Sequence, residues 1–393
     1  MEIPAQNLTV DWDDFTPNIH NQSMDRNELN RIIQDQIQGS NLCSIQLDNP
    51  PDAPFDIIKR IGTESNDGEI YLVQLKGADM YAVFKIIPYK NQDTEATFLN
   101  EFKIAERCSN MVKQGICKHF PITYTSYKCN NLIFPSSSLL YKVSFKYEVL
   151  ENAFQSLEAI LDTDEHLRDA RELKISLRYA IERTDFADIQ PFVLDEINKF
   201  LNDRNIHIVI QLDVKIKGFV IVNELGQMDL SQYISHTKQA KEVIKDEVWI
   251  QIIGHILNGI KCLQMNNILH DDLHMGNVLL LNKTDGYTWL IHDFGKSKIL
   301  TEWTLENKKK DVLDFIGAIS STNCKSKEIG TLLTRLTSDI QELVDVDNFM
   351  DAVIDKYSAQ SAMLQTAKNA KASRRKSRRK SKNKRKVRSK RVK

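Results

Sequence analysis

The segment HDDLHMGN, residues 270–277, carries an aspartate and an asparagine five positions apart, Asp272 and Asn277, in a short loop between a helical pattern and an apolar strand. Transfer of a phosphoryl group needs a carboxylate to orient the attacking hydroxyl and a nearby amide oxygen to help hold a metal. An Asp and an Asn at this separation supply both. The following strand, TWLIHDFGKS, ends in Asp293-Phe294-Gly295, 21 residues after Asp272. A carboxylate leaving a strand end beside the first loop can chelate a Mg²⁺ that bridges phosphates. Phe294 would anchor that turn in the core, and Gly295 permits its backbone.

The elements that must position these groups are legible on both sides. From Phe55, the segments IIKRIG, EIYLVQL and MYAVFKII are β-branched and aromatic and are separated by Gly, Asn and Asp, the pattern of strands. A helix is expected from Thr94 to about Lys113, then a strand in FPITYTSYK. Residues from about 130 to 215 read as an insertion, helical over Leu157–Leu161 and Glu172–Ile181, with one or two strands in IHIVIQLDVKIKGFVIV. From Lys245 to Asn266 the spacing of Val248, Ile252, Ile253, Ile256, Leu257 and Ile260 predicts a buried helix, and two or three further helices run to about Gln360. Upstream, residues 1–53 form a polar extension ending at a Pro cluster, with a short helix over Asp25–Gln38 that places Ile32, Ile33 and Ile37 on one face.

The charge distribution is uneven. Residues 368–393 hold 16 Lys/Arg and no Asp/Glu. Of the 53 basic and 53 acidic residues, 37 basic and all 53 acidic ones therefore lie in the first 367, a net of about −16. The chain is an acidic body with a cationic tail. Six cysteines at 43, 108, 117, 129, 262 and 324 form no CxxC pair, so they are expected to be packing thiols in a reducing, intracellular setting rather than a zinc site or disulfide framework. No apolar run is long enough for a membrane span, and the polar start argues against a secretory signal.

HxDLxxxN followed by DFG resembles the catalytic loop and metal-binding motif of the protein kinase superfamily. IGTESNDGEIYLV resembles that family's Gly-rich loop: Ile61, Gly62 and Gly68 would border the phosphates and Ile70 would cover adenine, although Glu64 stands at a middle glycine and the loop has one extra residue. YAVFKI resembles the VAIK strand, with Ala82 on adenine and Lys85 on the α- and β-phosphates. NEFKIAE offers Glu101 as the ion-pair partner of Lys85, with Glu95 as the alternative. FVIVNELG is similar to the inter-lobe strand and hinge, where Glu224 and Leu225 present backbone groups to adenine and Asp229 contacts ribose. Asp311 resembles the helix aspartate that braces the catalytic loop. The likeness covers about residues 55–130 and 215–320 and implies an α+β, two-lobed protein-kinase-like fold, with a small β-rich N-terminal lobe and a larger, mainly helical C-terminal lobe, in a catalytic domain over 54–367. It further implies ATP and Mg²⁺ as cofactors, Asn277 and Asp293 as metal ligands, and Asp272, Lys85, Glu101 and Asn277 as the catalytic set, acting on a Ser/Thr hydroxyl of a protein substrate.

The departures matter as much. Asp271 replaces the usual Arg, so no Arg waits for a phosphate on the following segment, and His274 replaces the usual Lys. DLHMGN resembles haspin and kinase-like small-molecule phosphotransferases, and only 15 residues separate Gly295 from Asp311. A small-molecule acceptor therefore stays open, as does a non-catalytic scaffold. The inserted segment and basic tail resemble divergent kinases of large DNA viruses. The tail from Lys368 to Lys393, without aromatics, can neutralise phosphates but not read bases, so nucleic acid or another polyanion is the expected partner, with a nuclear, nucleic-acid-rich or virion compartment implied. Each residue also has a structural reading: Asp272 or Asp229 as a helix cap, Gly62 and Gly68 as hairpin glycines, His270 and His292 as braces, and Lys308–Lys310 as a solvated face. His274 stands evenly between a substrate-side role and structural hydrogen bonding.

Overall fold

The computed structural model describes residues 24–37, 55–61, 68–89, 92–130, 139–182, 189–208, 210, 217–283, 286–342 and 345–356. Gly62, Glu64, the first 23 residues and the basic tail lie outside them. The fold is α+β. It divides into two compact units, one made of Asp25–Phe102 and Thr123–Leu225, the other of Lys103–Ile122 and the chain from Gly226 onward.

The first unit is built on an antiparallel sheet of β1 (Phe55–Ile61), β2 (Glu69–Leu75), β3 (Tyr81–Pro88), β4 (Thr123–Cys129) and β5 (Gly218–Glu224), in the order β1-β2-β3-β5-β4. Val, Ile, Phe and Tyr fill these strands because branched and aromatic side chains pack well on a pleated surface. Strand β5, between β3 and β4, is buried at nearly every position. Helix α1 (Arg26–Ile37) starts where Asp25 accepts the Asn27 and Glu28 N–H groups. It buries Leu29, Ile33 and Ile37, four residues apart, while Ile32 is only half-buried. The buried stripe thus keeps Ile33 and Ile37 of the expected face and runs through Leu29 in place of Ile32. The Gln34 amide donates to the Tyr124 carbonyl of β4, and Arg26 forks onto Glu224 at the end of β5, with Nε at 2.9 and 3.1 Å from the two carboxylate oxygens.

Between β4 and β5 the described residues form three helices, α3 (Leu139–Glu158), α4 (Asp164–Ile181) and α5 (Ile189–Asn202). They enclose a core of their own that includes Phe154, Leu157, Ile181, Val193 and Ile197. The helix expected over Leu157–Leu161 is only the end of α3 and the turn after it; of the one or two strands expected over 206–222, β5 is present, while residues 206–208 and 210 are irregular. Helix α2 (Gln92–Lys113) contains the division between the units; Phe98 in its first half stacks on Phe219 at 4.1 Å and packs with Ile87 and Ile221.

The second unit centres on α7 (Asp246–Met265), which follows β6 (Met228–Asp229) and α6 (Leu230–Gln239). Trp249, Ile252, Ile253, Ile256, Leu257 and Ile260 of α7 are fully buried. Strands β8 (Val278–Lys283) and β9 (Gly286–Ile291) pair in register from Val278↔Ile291 to Lys283↔Gly286. A Cβ on Gly259 of α7 would come within 2.8 Å of Ile291 Cδ1, so a larger residue there would have to push the tip of that side chain aside. Strands β7 (Ile268–Leu269) and β10 (Lys298–Ile299) pair, and α8 (Leu305–Ser320), α9 (Lys327–Glu342) and a helix over 346–356 complete the unit. Cys108, Cys117, Cys262 and Cys324 are buried thiols, but Cys129 is disulfide-bonded, which corrects the expectation that the cysteines are all packing thiols. Among the described residues, no helix is long and apolar enough to cross a membrane.

The Arg26–Glu224 pair is nearly dry, with side chains 16% and 2% exposed. Removing one partner of such a pair strands the other charge, at a cost of about 3 kcal/mol. Arg26→Ala is therefore expected to lower the urea-unfolding free energy by about that amount, and Arg26→Ala with Glu224→Gln to recover part of it. Equal stability of the single variant and the native chain would contradict this account.

Candidate active site

Strand alternation decides which side chains can meet Lys85. Ile70 of β2, Lys85 of β3 and Ile221 of β5 stand directly opposite one another, so they share a face. Ile61 extends the row on β1. Ile87 and Phe219 lie on that face too, and Phe98 anchors α2 over them. Glu101, three residues on from Phe98, is one helical turn away and comes down over Lys85. Lys85 Nζ lies 2.6 Å from Glu101 Oε1, with the side chains 18% and 8% exposed. Glu95, the alternative, pairs instead with Lys128 of β4 at 2.5 Å in a much more exposed position.

The same alternation corrects the reading of Ala82. It is three residues from Lys85 in a strand without a bulge, so it is buried on the opposite face, paired with Val73 and Glu224. Val83 is the residue that shares the face of Lys85. The side chain of Glu224 belongs to the Ala82 face and is held by Arg26. Gly68 is buried ahead of β2, where a Cβ would stand 3.0 Å from the Ile86 carbonyl oxygen; close packing against β3 accounts for this glycine. Leu225 follows β5 and is half-buried.

In the second unit, the loop after β7 is shaped by one carboxylate. Asp311 of α8 is fully buried and accepts the backbone N–H of His270 at 2.8 Å and of Asp271 at 3.0 Å. Asp271 takes a left-handed conformation, φ 63°, which turns the chain toward Asp272. His270 is fully buried, and burial lowers its pKa, so the ring is neutral. Its Nε2 sits 3.1 Å from the His292 carbonyl, and the Ser297 hydroxyl donates to the His270 carbonyl at 3.0 Å.

Asn277 is buried at the end of the short 3₁₀ turn Met275–Asn277. Its Nδ2 donates to the Asp272 carbonyl at 2.9 Å, which fixes the amide and leaves Oδ1 to accept. His292 N–H donates to the Asn277 carbonyl at 3.1 Å, and His292 Nε2 contacts the Gly276 carbonyl at 3.1 Å. Asp293, the next residue, is therefore stitched to the Asp272–Asn277 loop through the base of the β8–β9 hairpin. It too is left-handed, φ 63°, and exposed. Phe294 is buried, 5.5 Å from the His270 ring and 6.3 Å from Phe120. Asp229 caps α6, accepting the Gln232 N–H at 2.8 Å in a reciprocal capping box, and burial raises its pKa. Its carboxylate is engaged in the helix-cap role that competed with a ribose contact.

Two ion-pair clusters at this loop were not read from the sequence. Asp272 Oδ1 lies 3.1 Å from Lys296 Nζ, and its Oδ2 lies 3.9 Å from His274 Nε2. Asp271 pairs with Lys298 at 2.5 Å and Lys310 at 3.1 Å. The signal was present as KSK at 296–298 and KKK at 308–310, with Asp272 the counterpart of Lys296 and Asp271 that of Lys298 and Lys310. Among the described residues, no three or more His, Cys, Asp or Glu side chains are grouped to hold a metal by themselves. Asp293 and Asn277 supply hard oxygen donors suited to Mg²⁺, which takes its remaining ligands from phosphate and water. No protein-family model matches the chain, and no curated protein matches it.

Burial pushes the Asp271 carboxyl up, but the hydrogen bonds and charges of Lys298 and Lys310 together outweigh it and lower its pKa. A lowered carboxyl pKa means that the folded state binds fewer protons than the unfolded one. The stabilisation is complete above the ordinary value of 3.8 and is lost as pH falls below it. Asp271→Asn is expected to flatten the acid limb of a melting-temperature profile in that range; an unchanged limb would show that the two lysines do not act on this carboxylate.

Proposed function

We propose that the chain is an ATP- and Mg²⁺-dependent phosphotransferase with a two-lobed, protein-kinase-like fold, acting on a Ser/Thr hydroxyl of a protein. The observation that carries this reading is the single hydrogen-bonded loop in which Asp311 holds the backbone, Asn277 is locked to Asp272, and His292 ties the Asp293 strand end to both. The ion pair of Lys85 with Glu101 supports it independently.

In this reading Asp272 orients the acceptor hydroxyl. Lys85, positioned by Glu101, neutralises the nucleotide phosphates, and the backbone of Glu224 and Leu225 faces adenine. Asn277 and Asp293 would hold Mg²⁺, which when bound supplies charge neutralisation across the phosphates. Such catalysis is largely positioning and electrostatics, and these residues have their donors and acceptors fixed in advance. The tail from Lys368 is proposed to hold nucleic acid or another polyanion. One observation favours a small acceptor instead: only nine residues, 296–304, lie between Gly295 and the start of α8, little chain for a peptide platform.

Incubation with radiolabelled ATP and Mg²⁺ is expected to give autophosphorylation of the native chain, reduced about 100-fold or more in Lys85→Met and in Asp293→Ala. Equal incorporation in native and Asp293→Ala chains would end the phosphotransferase reading. A panel of basic proteins and small hydroxyl compounds separates the two acceptor classes.

A further inference from the structure

The carboxylate proposed to orient the acceptor has an ammonium beside it, and nothing in the reading above uses that ammonium. Lys296 Nζ stands 3.1 Å from Asp272 Oδ1, on a side chain 70% exposed, while the Asp272 side chain is 30% exposed. The second group at Asp272 is His274, whose Nε2 lies 3.9 Å from Oδ2. His274 Nδ1 accepts the Gly276 N–H at 3.0 Å, so in the neutral ring the proton sits on Nε2, the atom that faces Asp272. In that tautomer the imidazole is a donor without net charge. Among the described residues, the ammonium at this carboxylate is then that of Lys296 alone. The nearby Lys298 and Lys310 are both spent on Asp271.

Resting on the phosphotransferase reading, we infer that Lys296 is a catalytic residue, the cation that contacts the transferred phosphoryl group. An acceptor oxygen hydrogen-bonded to Asp272 must approach phosphorus to about 3–3.5 Å. An ammonium already within 3.1 Å of the same carboxylate, on a flexible four-carbon stem, reaches the equatorial phosphoryl oxygens with a small swing. The bookkeeping closes without a further reactant. The acceptor oxygen bonds to the γ-phosphorus, and its proton passes to Asp272. The bond from phosphorus to the bridging oxygen breaks, and its electron pair leaves on ADP. Lys296 stays protonated and offsets the charge spread over the three equatorial oxygens. Position 296 lies on the segment after Asp293, so the residue that ends the metal strand and the residue that neutralises the phosphoryl group share one short stretch of chain.

The test uses the full chain, with ATP turnover and autophosphorylation as activity readouts and a fluorescent ATP analogue for binding. Lys296→Ala is expected to lower turnover about 100-fold, with analogue affinity changed less than threefold and the melting temperature unchanged, as befits an exposed side chain. Lys296→Arg, which keeps the charge, is expected to recover at least tenfold of that loss. Native turnover in Lys296→Ala, or a loss seen only in affinity, would overturn the assignment while leaving the phosphotransferase reading intact. If the native chain turns over no ATP and binds no analogue, both fall together.

Discussion

The carboxylate of Asp311 is the point on which the order of the second unit's loops turns. It sits fully buried on α8 and accepts two consecutive backbone N–H groups, those of His270 and Asp271. Two adjacent N–H groups pointing at one acceptor require the chain to curl, and the left-handed backbone of Asp271 is the form that curl takes. Without a buried acceptor those donors would be orphaned away from water, each at a cost comparable to a lost hydrogen bond. The next residue, Asp272, is thereby aimed outward, and Asn277 then locks onto its carbonyl. A helix whose inner face is otherwise Val312, Phe315, Ile316 and Ile319 thus holds a loop by a single polar side chain set into an apolar stripe.

The two units achieve their order by different means. In the sheet unit, position follows from ladder register: once β2, β3 and β5 pair, Ile70, Lys85 and Ile221 must share a face, and the packing of Phe98 on Phe219 carries Glu101 to Lys85. In the second unit, position follows from side chains and backbone groups that satisfy one another across short loops, with α7 and the β8–β9 hairpin as the apolar floor. The charge cluster at Asp271 belongs to this second style. Lys298 from β10 and Lys310 from α8 meet on one carboxylate, so the segment after Asp293 is tied to the loop by charges the chain itself encodes.

Much of this was readable from residue order alone. The strands, the buried helix α7 and the loop residues announce themselves through periodicity and through polar residues set between apolar runs. What escaped had a common cause: partners distant in sequence. Arg26 and Glu224 are 198 positions apart, and nothing local marks either as half of a pair. Asp271 with Lys298 and Lys310 likewise needs β7, β10 and α8 to be assembled first. The misreading of Ala82 is of another kind. Its distance from Lys85 is odd, and a period of two puts it on the far face, so attention to parity rather than to resemblance would have chosen Val83. The helix expected at Leu157–Leu161 is met only at Leu157 and Glu158, the last residues of α3, which begins far upstream at Leu139.

The fork from Arg26 onto Glu224 has a practical consequence for anyone drawing the border of the folded domain. A truncated form begun at the proline cluster around Pro50 and Pro51 would look tidy, since it starts just ahead of the first strand. It would also delete α1 and leave a carboxylate sealed at the end of β5 with its guanidinium gone. Poor yield or early melting of that shortened protein would report a damaged strand end, and would be mistaken for weakness of the domain as a whole.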